Sequence, residues 1–389
     1  MKKLKICGSI IMVIALICCT SFSSLADSSS DRGSNVTAES TVVNYIDMRG
    51  VLLRNSCNLG QHLISPSSAF SDINMVDSVD SVNQERARGF ENYILSNDLN
   101  LLSVEVSSNG FEVLEQDSDS YIVKVYERTD FEWYNTPEKT PIHSAFGTWH
   151  EITLERDWKS GGFLIVKDEF NEEDITGINT IEEEDREELI DLPVVLPGRT
   201  NASTGSVVYG SYIPEQIQEY CRKYAFSYNP NYYDYSVYGG DCANFASQCL
   251  ANGGLAQYRG STQYDGWYYD KNGTYDITYD DISASAWRGA LVLLPELSSH
   301  YASEMGSVSD GDVNWNVGDL GLVSRTSSGQ GHVYICSGKS GSVGLFSSHT
   351  EDRYNVVEPE TIDTYLHIHS CIYNNGAYRC LSPGCGFVS

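Results

Sequence analysis

Three residues spread along this 389-residue chain have types and surroundings suited to acyl transfer: Cys242, His332 and His349. In Gly239-Gly240-Asp241-Cys242-Ala243-Asn244-Phe245, the two glycines permit a tight turn and a close approach by other groups. Asp241 suits a helix N-cap, which sets Cys242 in the first helical turn. There the helix macrodipole and free N–H groups stabilise a thiolate, lowering its pKa from about 8.5. The competing role for such a cysteine is plain packing, which is what Cys221 and Cys249 are expected to do. Downstream, Gly331-His332-Val333 opens a strand, and a glycine there lets an imidazole meet a thiol. Together they form a nucleophile–base pair. At the end of the next strand, Ser347-Ser348-His349-Thr350 brings a second imidazole. In an antiparallel pairing His349 reaches the far nitrogen of His332 and fixes its tautomer.

The elements needed to hold these groups are legible. Apolar residues at Ile213, Ile217, Tyr220/Cys221 and Tyr224 mark a helix over 213–228. A Tyr/Asn loop leads to a second helix over 242–250, closed by Asn252-Gly253-Gly254. Residues 267–279 read as a hairpin turned at Asn272-Gly273, and 284–305 as a third helix. Strands follow at 320–324, 332–337 and 343–348. Upstream, 82–95 has helical spacing, followed by alternating runs at 101–106, 121–126, 148–155 and 163–167. His143 and His150 are isolated there and read as surface or packing residues.

The string from Tyr224-Ala225 through Gly240-Asp241-Cys242-Ala243-Asn244-Phe245-Ala246-Ser247-Gln248, with Trp267, Ser285-Ala286-Trp287, His332-Val333 and Ser348-His349-Thr350-Glu351-Asp352-Arg353, resembles a known family. It is the amidase-domain family of bacterial exported proteins, grouped with NlpC/P60-like and papain-like cysteine hydrolases. The resemblance spans 212–369. It implies an α+β fold, with N-terminal helices packed on an antiparallel sheet, preceded here by a smaller α+β domain. It also implies Cys242 as nucleophile and His332 as general base, with His349 as third residue and Asp352 as the fallback. The Cys242 backbone N–H would hold the oxyanion. Asp241, Asn244, Tyr238 and Asp352 are candidates for substrate or oxyanion contact, with Tyr232, Tyr233 and Tyr235 nearby in the loop. The expected substrate is an amide or peptide, peptidoglycan stem peptides included by analogy. No cofactor and no metal is called for. The rival is an exported surface or adhesion protein that keeps the fold without turnover.

Composition narrows the partners. Lys and Arg number 25 against 53 Asp and Glu, a net charge of −28, which repels phosphate backbones and argues against nucleic acid. Lys2, Lys3 and Lys5 precede an apolar run from Ile6 to Cys19, and Ser24-Leu25-Ala26 suits cleavage, so 1–26 reads as a signal peptide. Ile17 before Cys18 disfavours a lipoprotein, and no later run is long enough to stay in a membrane. The expected organisation is a leader at 27–40, an N-terminal α+β domain at 41–170 and an acidic linker at 171–211. The hydrolase domain at 212–369 and a tail at 370–389 complete it. Asp168–Asp191 holds twelve carboxylates against Arg186 alone, which favours a solvated, extended chain. Past residue 26, eight cysteines remain, too thinly spread for a disulfide framework. In the tail, His367, His369, Cys371, Cys380 and Cys385 could hold zinc, but their spacing fits a disulfide between two cysteines better.

Overall fold

The alternating stretches of the first half do become strands, and in this computed structural model they join the strands of the second half in one sheet. The structure describes residues 36–57, 59, 73–135, 139–181, 213–236, 240–255, 257–259, 266–270, 283–300, 304–308, 313–324, 331–357, 359, 362–368, 371–374 and 377–380. The expected signal peptide, Tyr238 and the Asn272-Gly273 turn lie outside them.

Helix α1 (Ala38–Ser56) opens with a reciprocal capping box between Thr37 and Ser40. Residues 38–40 are therefore helical, which corrects the leader expected at 27–40: Ser40 caps, and Val42, Tyr45 and Ile46 bury the face that follows. After β1 (Asn74–Met75), α2 (Asp77–Ser96) buries Phe90, Tyr93 and Ile94 against the sheet. The strands β2 (Asn100–Gln116), β3 (Ser120–Tyr134), β4 (Ile142–Asp157) and β5 (Gly162–Glu169) form a meander of hairpins.

Next come β6 (Asn171–Glu172), α3 (Glu173–Thr176) and β7 (Ile178–Asn179), where a solvated linker was expected. The acids counted as unpaired find distant arginines instead. Glu172 is buried against Arg86 and Asp174 against Arg353, and the pairing offsets the charge that would otherwise extend the chain. Residues 182–211 of the expected linker lie outside the described set.

The second half supplies α4 (Pro214–Tyr224), α5 (Cys242–Asn252), β8 (Tyr258–Arg259), β9 (Gly266–Trp267), α6 (Ser285–Arg288) and α7 (Ala290–His300). The expected third helix is thus broken at Gly289, where an added Cβ would meet Val292 at 2.8 Å. Strands β10 (Glu304–Ser307), β11 (Leu320–Ser324), β12 (Gly331–Ser340), β13 (Val343–Ser348), β14 (Asp352–Val357) and β15 (Thr364–His367) follow. A separate tail hairpin pairs β16 (Cys371–Asn374) with β17 (Ala377–Cys380), and its register sets Cys371 opposite Cys380.

The large sheet runs β1–β5–β4–β14–β13–β12–β11–β15–β10, with β3 and then β2 attached to β4. All its pairings but β1–β5 are antiparallel. The fold is mixed, with seven helices among the described residues. The two sequence halves meet where β14 pairs with β4, at Asp352↔Gly147, Arg353↔Phe146 and Tyr354↔Ala145. They also share a core in which Phe90, Phe131 and Phe146 pack in one cluster with Trp315, Phe346 and Val356. The described residues all fall in one compact unit.

Candidate active site

Gly240, at φ 154°, turns the chain into α5, and an added Cβ there would touch Thr350 Oγ1 at 3.4 Å. Asp241 sits at the N-cap position, yet its carboxylate bonds to no helix N–H. Instead Oδ1 accepts from the Tyr235 N–H (3.0 Å) and Asn244 Nδ2 (2.7 Å), and Oδ2 faces His349 Nδ1 at 2.8 Å. The capping expectation fails because a stronger partner, an imidazole, competes for the same oxygens.

His349 is buried between the Phe245 ring (centroids 4.1 Å apart) and Tyr228 (4.7 Å). Its other nitrogen, Nε2, lies 2.6 Å from the Tyr224 carbonyl oxygen. With acceptors at both nitrogens, the ring must donate twice, which only the imidazolium does. Burial opposes that charge, but the Asp241 carboxylate outweighs it and holds His349 above the ordinary histidine value. The expected hydrogen bond from His349 to His332 is not made, since both His349 nitrogens are engaged elsewhere.

Cys242 and His332 do come together. Both line one cleft of about 300 Å³. The Cys242 sulfur lies within reach of the backbone N–H of Val333, the residue after His332 on β12, and of Ala243. Gly331 earns its place: a Cβ there would strike Leu291 at 2.7 Å, so glycine lets α7 pack against the mouth of β12. His332 is 5% exposed, with Tyr334 edge-on to its ring at 4.5 Å. The low thiol pKa expected at a helix start is not what the site gives. Burial pushes the Cys242 thiol up to about 11, and Asp241 and Glu351 reinforce it, against the two N–H groups.

The remaining candidates divide. Asn244 is fully buried and its amide is engaged at both ends, donating to the Tyr233 carbonyl and to Asp241 and accepting from Trp287 Nε1. It clamps the loop to α5 and α6 and has no group turned to a substrate. Asp241 is likewise interior. Tyr235 is buried with its hydroxyl on Ser283, and Tyr232 stacks on Trp287. Asp352, by contrast, lines the cleft and accepts from Tyr126 Oη at 2.6 Å. Burial raises its carboxyl above the ordinary value, against His349 and Tyr126.

Tyr126, Thr148 and Trp149 form the facing wall of the cleft, and sequence reasoning missed all three. They lie on β3 and β4, in a segment without a motif, and only the β4–β14 pairing brings them to Cys242.

One further buried cluster resembles a metal site: Glu127, His150 and Glu172 offer ligand atoms close together. The donor set does not fit an ion. Arg86 bonds to both glutamates, and Arg49 reaches Glu127 (2.7 Å) and Asp168 (3.0 Å). Two guanidiniums already supply the cationic charge that a metal would bring. His150, expected to be an isolated packing residue, bonds through Nδ1 to Asp168 at 2.8 Å within this cluster.

Residues 211–369 match the family model described as "Putative amidase domain". No curated protein matches the chain. No solved structure matches it either. Among the described residues, no helix is long and apolar enough to cross a membrane.

Proposed function

We propose that this chain hydrolyses amide bonds with Cys242 as nucleophile and His332 as general base. The observation that carries the reading is the convergence of the two side chains on one cleft, with the sulfur against the peptide N–H that follows His332. The match of this segment to an amidase family supports the reaction class.

A buried, high-pKa thiol does not attack as a free thiolate. His332 therefore removes the Cys242 proton as the sulfur adds to the amide carbonyl carbon. The negative charge on the carbonyl oxygen falls at the start of α5, where the Cys242 N–H can donate. The C–N bond then breaks, and the proton passes from His332 to the leaving amine. Water, deprotonated by the same imidazole, attacks the thioester, releases the acid and restores the thiol. His349 takes no part in proton transfer; it fixes Asp241 and hence the head of α5. Read as an export signal, residues 1–26 favour action outside the cytoplasm, and the substrate class proposed with it is peptide amides, peptidoglycan stems included.

Replacing Cys242 by Ala or His332 by Ala should each remove at least about 10³ of the rate on a peptide-amide panel, with folding retained. Turnover surviving in Cys242→Ala would end the proposal.

A further inference from the structure

We infer that the two halves of the chain together build a subsite for a protonated amine of the substrate, one wall of which is Thr148 on β4 and the other Asp352 with Glu351. This deepens the amide-hydrolase reading above and rests on it for the identity of the neighbouring reaction centre.

Three observations lead there. The first is a gap in the sheet. On one side of β4, β14 covers Ala145 to Gly147 and β5 covers Glu151 to Asp157. Thr148, Trp149 and His150 between them have no ladder partner on that side among the described residues, and the cleft beside Cys242 opens where Thr148 and Trp149 stand. A bare strand edge suits the backbone of a peptide.

The second is an orphan. Thr148 is 5% exposed, lines the cleft, and its Oγ1 has no hydrogen-bond partner. A buried hydroxyl left unpaired costs about 1–3 kcal/mol, so such a group in a cleft points to a ligand that completes it.

The third is charge. Among the described residues that line the cleft, Glu351 and Asp352 are carboxylates, and none is Lys or Arg. Among the described residues, Tyr126 gives the Asp352 carboxylate its one hydrogen bond, on Oδ2. Burial lifts the Asp352 carboxyl above its usual range, against the pull of His349, Tyr126 and Arg353. An ammonium has three donors and no acceptor, so it can bond to a hydroxyl and two carboxylates at once. An anionic substrate group would meet two carboxylates, and a purely apolar one would leave the Thr148 hydroxyl without its bond. The substrate class is a peptide whose free amino group lies near the bond to be cut.

The test has two arms. In the first, Cys242→Ala protein is immobilised and offered an equimolar pool of randomised tripeptide amides and the same pool after N-acetylation. Free-amine members should be retained at least tenfold over acetylated ones. Asp352→Asn, which keeps an acceptor for Tyr126, and the isosteric Thr148→Val should each cut that preference several-fold, with melting temperatures held near that of the parent. Equal retention of both pools, retention of neither, or an unchanged preference in both variants overturns the subsite. In the second arm the unmodified protein is given the same pools and products are read by mass. Absence of cleavage there, with free-amine retention intact in the first arm, removes the hydrolase reading and leaves the amine subsite standing. Cleavage of both pools at one rate does the reverse.

Discussion

His349 Nδ1 lies 2.8 Å from Asp241 Oδ2, which ties the residue immediately before the proposed nucleophile to the end of β13. Both groups are buried, and Tyr224 closes the other side of the ring. Substituting Phe for His349 leaves the Asp241 carboxylate without its cation. We expect a loss of about 3–5 kcal/mol of stability in urea denaturation, the cost of breaking one side of a buried pair. A loss under 1 kcal/mol would mean that the pair does not hold the site.

Stability should pass through a maximum in mildly acidic solution. His349 titrates above its ordinary 6.5, so its contribution is complete below that pH and is lost as pH rises through the raised value. At Glu172 burial works against ionisation, but Arg86 and Arg49 prevail and pull it from 4.5 to about 2. Its contribution is present above about 4.5 and fades as pH falls toward about 2. Melting temperatures across pH 2 to 9 check both limbs. His349→Gln should flatten the alkaline limb alone.

The thiol of Cys242 should behave as a protected one. Its alkylation by iodoacetamide in ligand-free protein is expected to accelerate about tenfold per pH unit toward about 11. A rate that levels off near neutrality would restore the thiolate that its helix-start position suggests.

In the arginine cluster, charge balance takes the place of a metal. Arg86→Met takes one of two guanidiniums from the buried Glu127 and Glu172 and should cost about 3–5 kcal/mol, or prevent folding outright. Treating the parent protein with a chelator should leave its melting temperature unchanged. A fall on chelation would show that an ion shares the cluster.

Cys221 and Cys249 carry buried sulfurs 3.5 Å apart, on α4 and α5, and both are free thiols. Diamide, as two-electron oxidant, should join this pair before Cys57, Cys242 or Cys336, since a disulfide needs Cβ atoms about 3.5–4.5 Å apart. Peptide mapping without reductant reads the outcome. A bond involving Cys57, Cys242 or Cys336 appearing first counts against the α4–α5 packing described here.

Local patterns revealed much of this molecule. The period-2 runs at 101–106 and 148–155 mark β2 and β4, and the Gly-Asp-Cys turn marks the head of α5. That Cys242 and His332 could share a cleft was legible because each carries its own signal, a helix start and a glycine before a strand. What stayed hidden was every relation set by long-range pairing. Asp168, Glu172 and Asp174 look like linker charge until Arg49, Arg86 and Arg353 are brought to them. His349 looks like a partner for His332 until Asp241, which pattern reading makes a cap, competes for it. Thr148 has no signal at all, because its importance comes from a missing neighbour.

The seam between β4 and β14 bears on how the protein can be handled and inherited. Cutting the chain near residue 211 would bare one edge of β14 and take Phe90, Phe131 and Phe146 out of the core they share with Phe346 and Val356. An exposed strand edge beside apolar residues recruits other copies, so the family-matched piece released alone should precipitate. The start of the family match falls inside a sheet that runs on into the preceding half, so the matched segment is expected to need that half in order to fold.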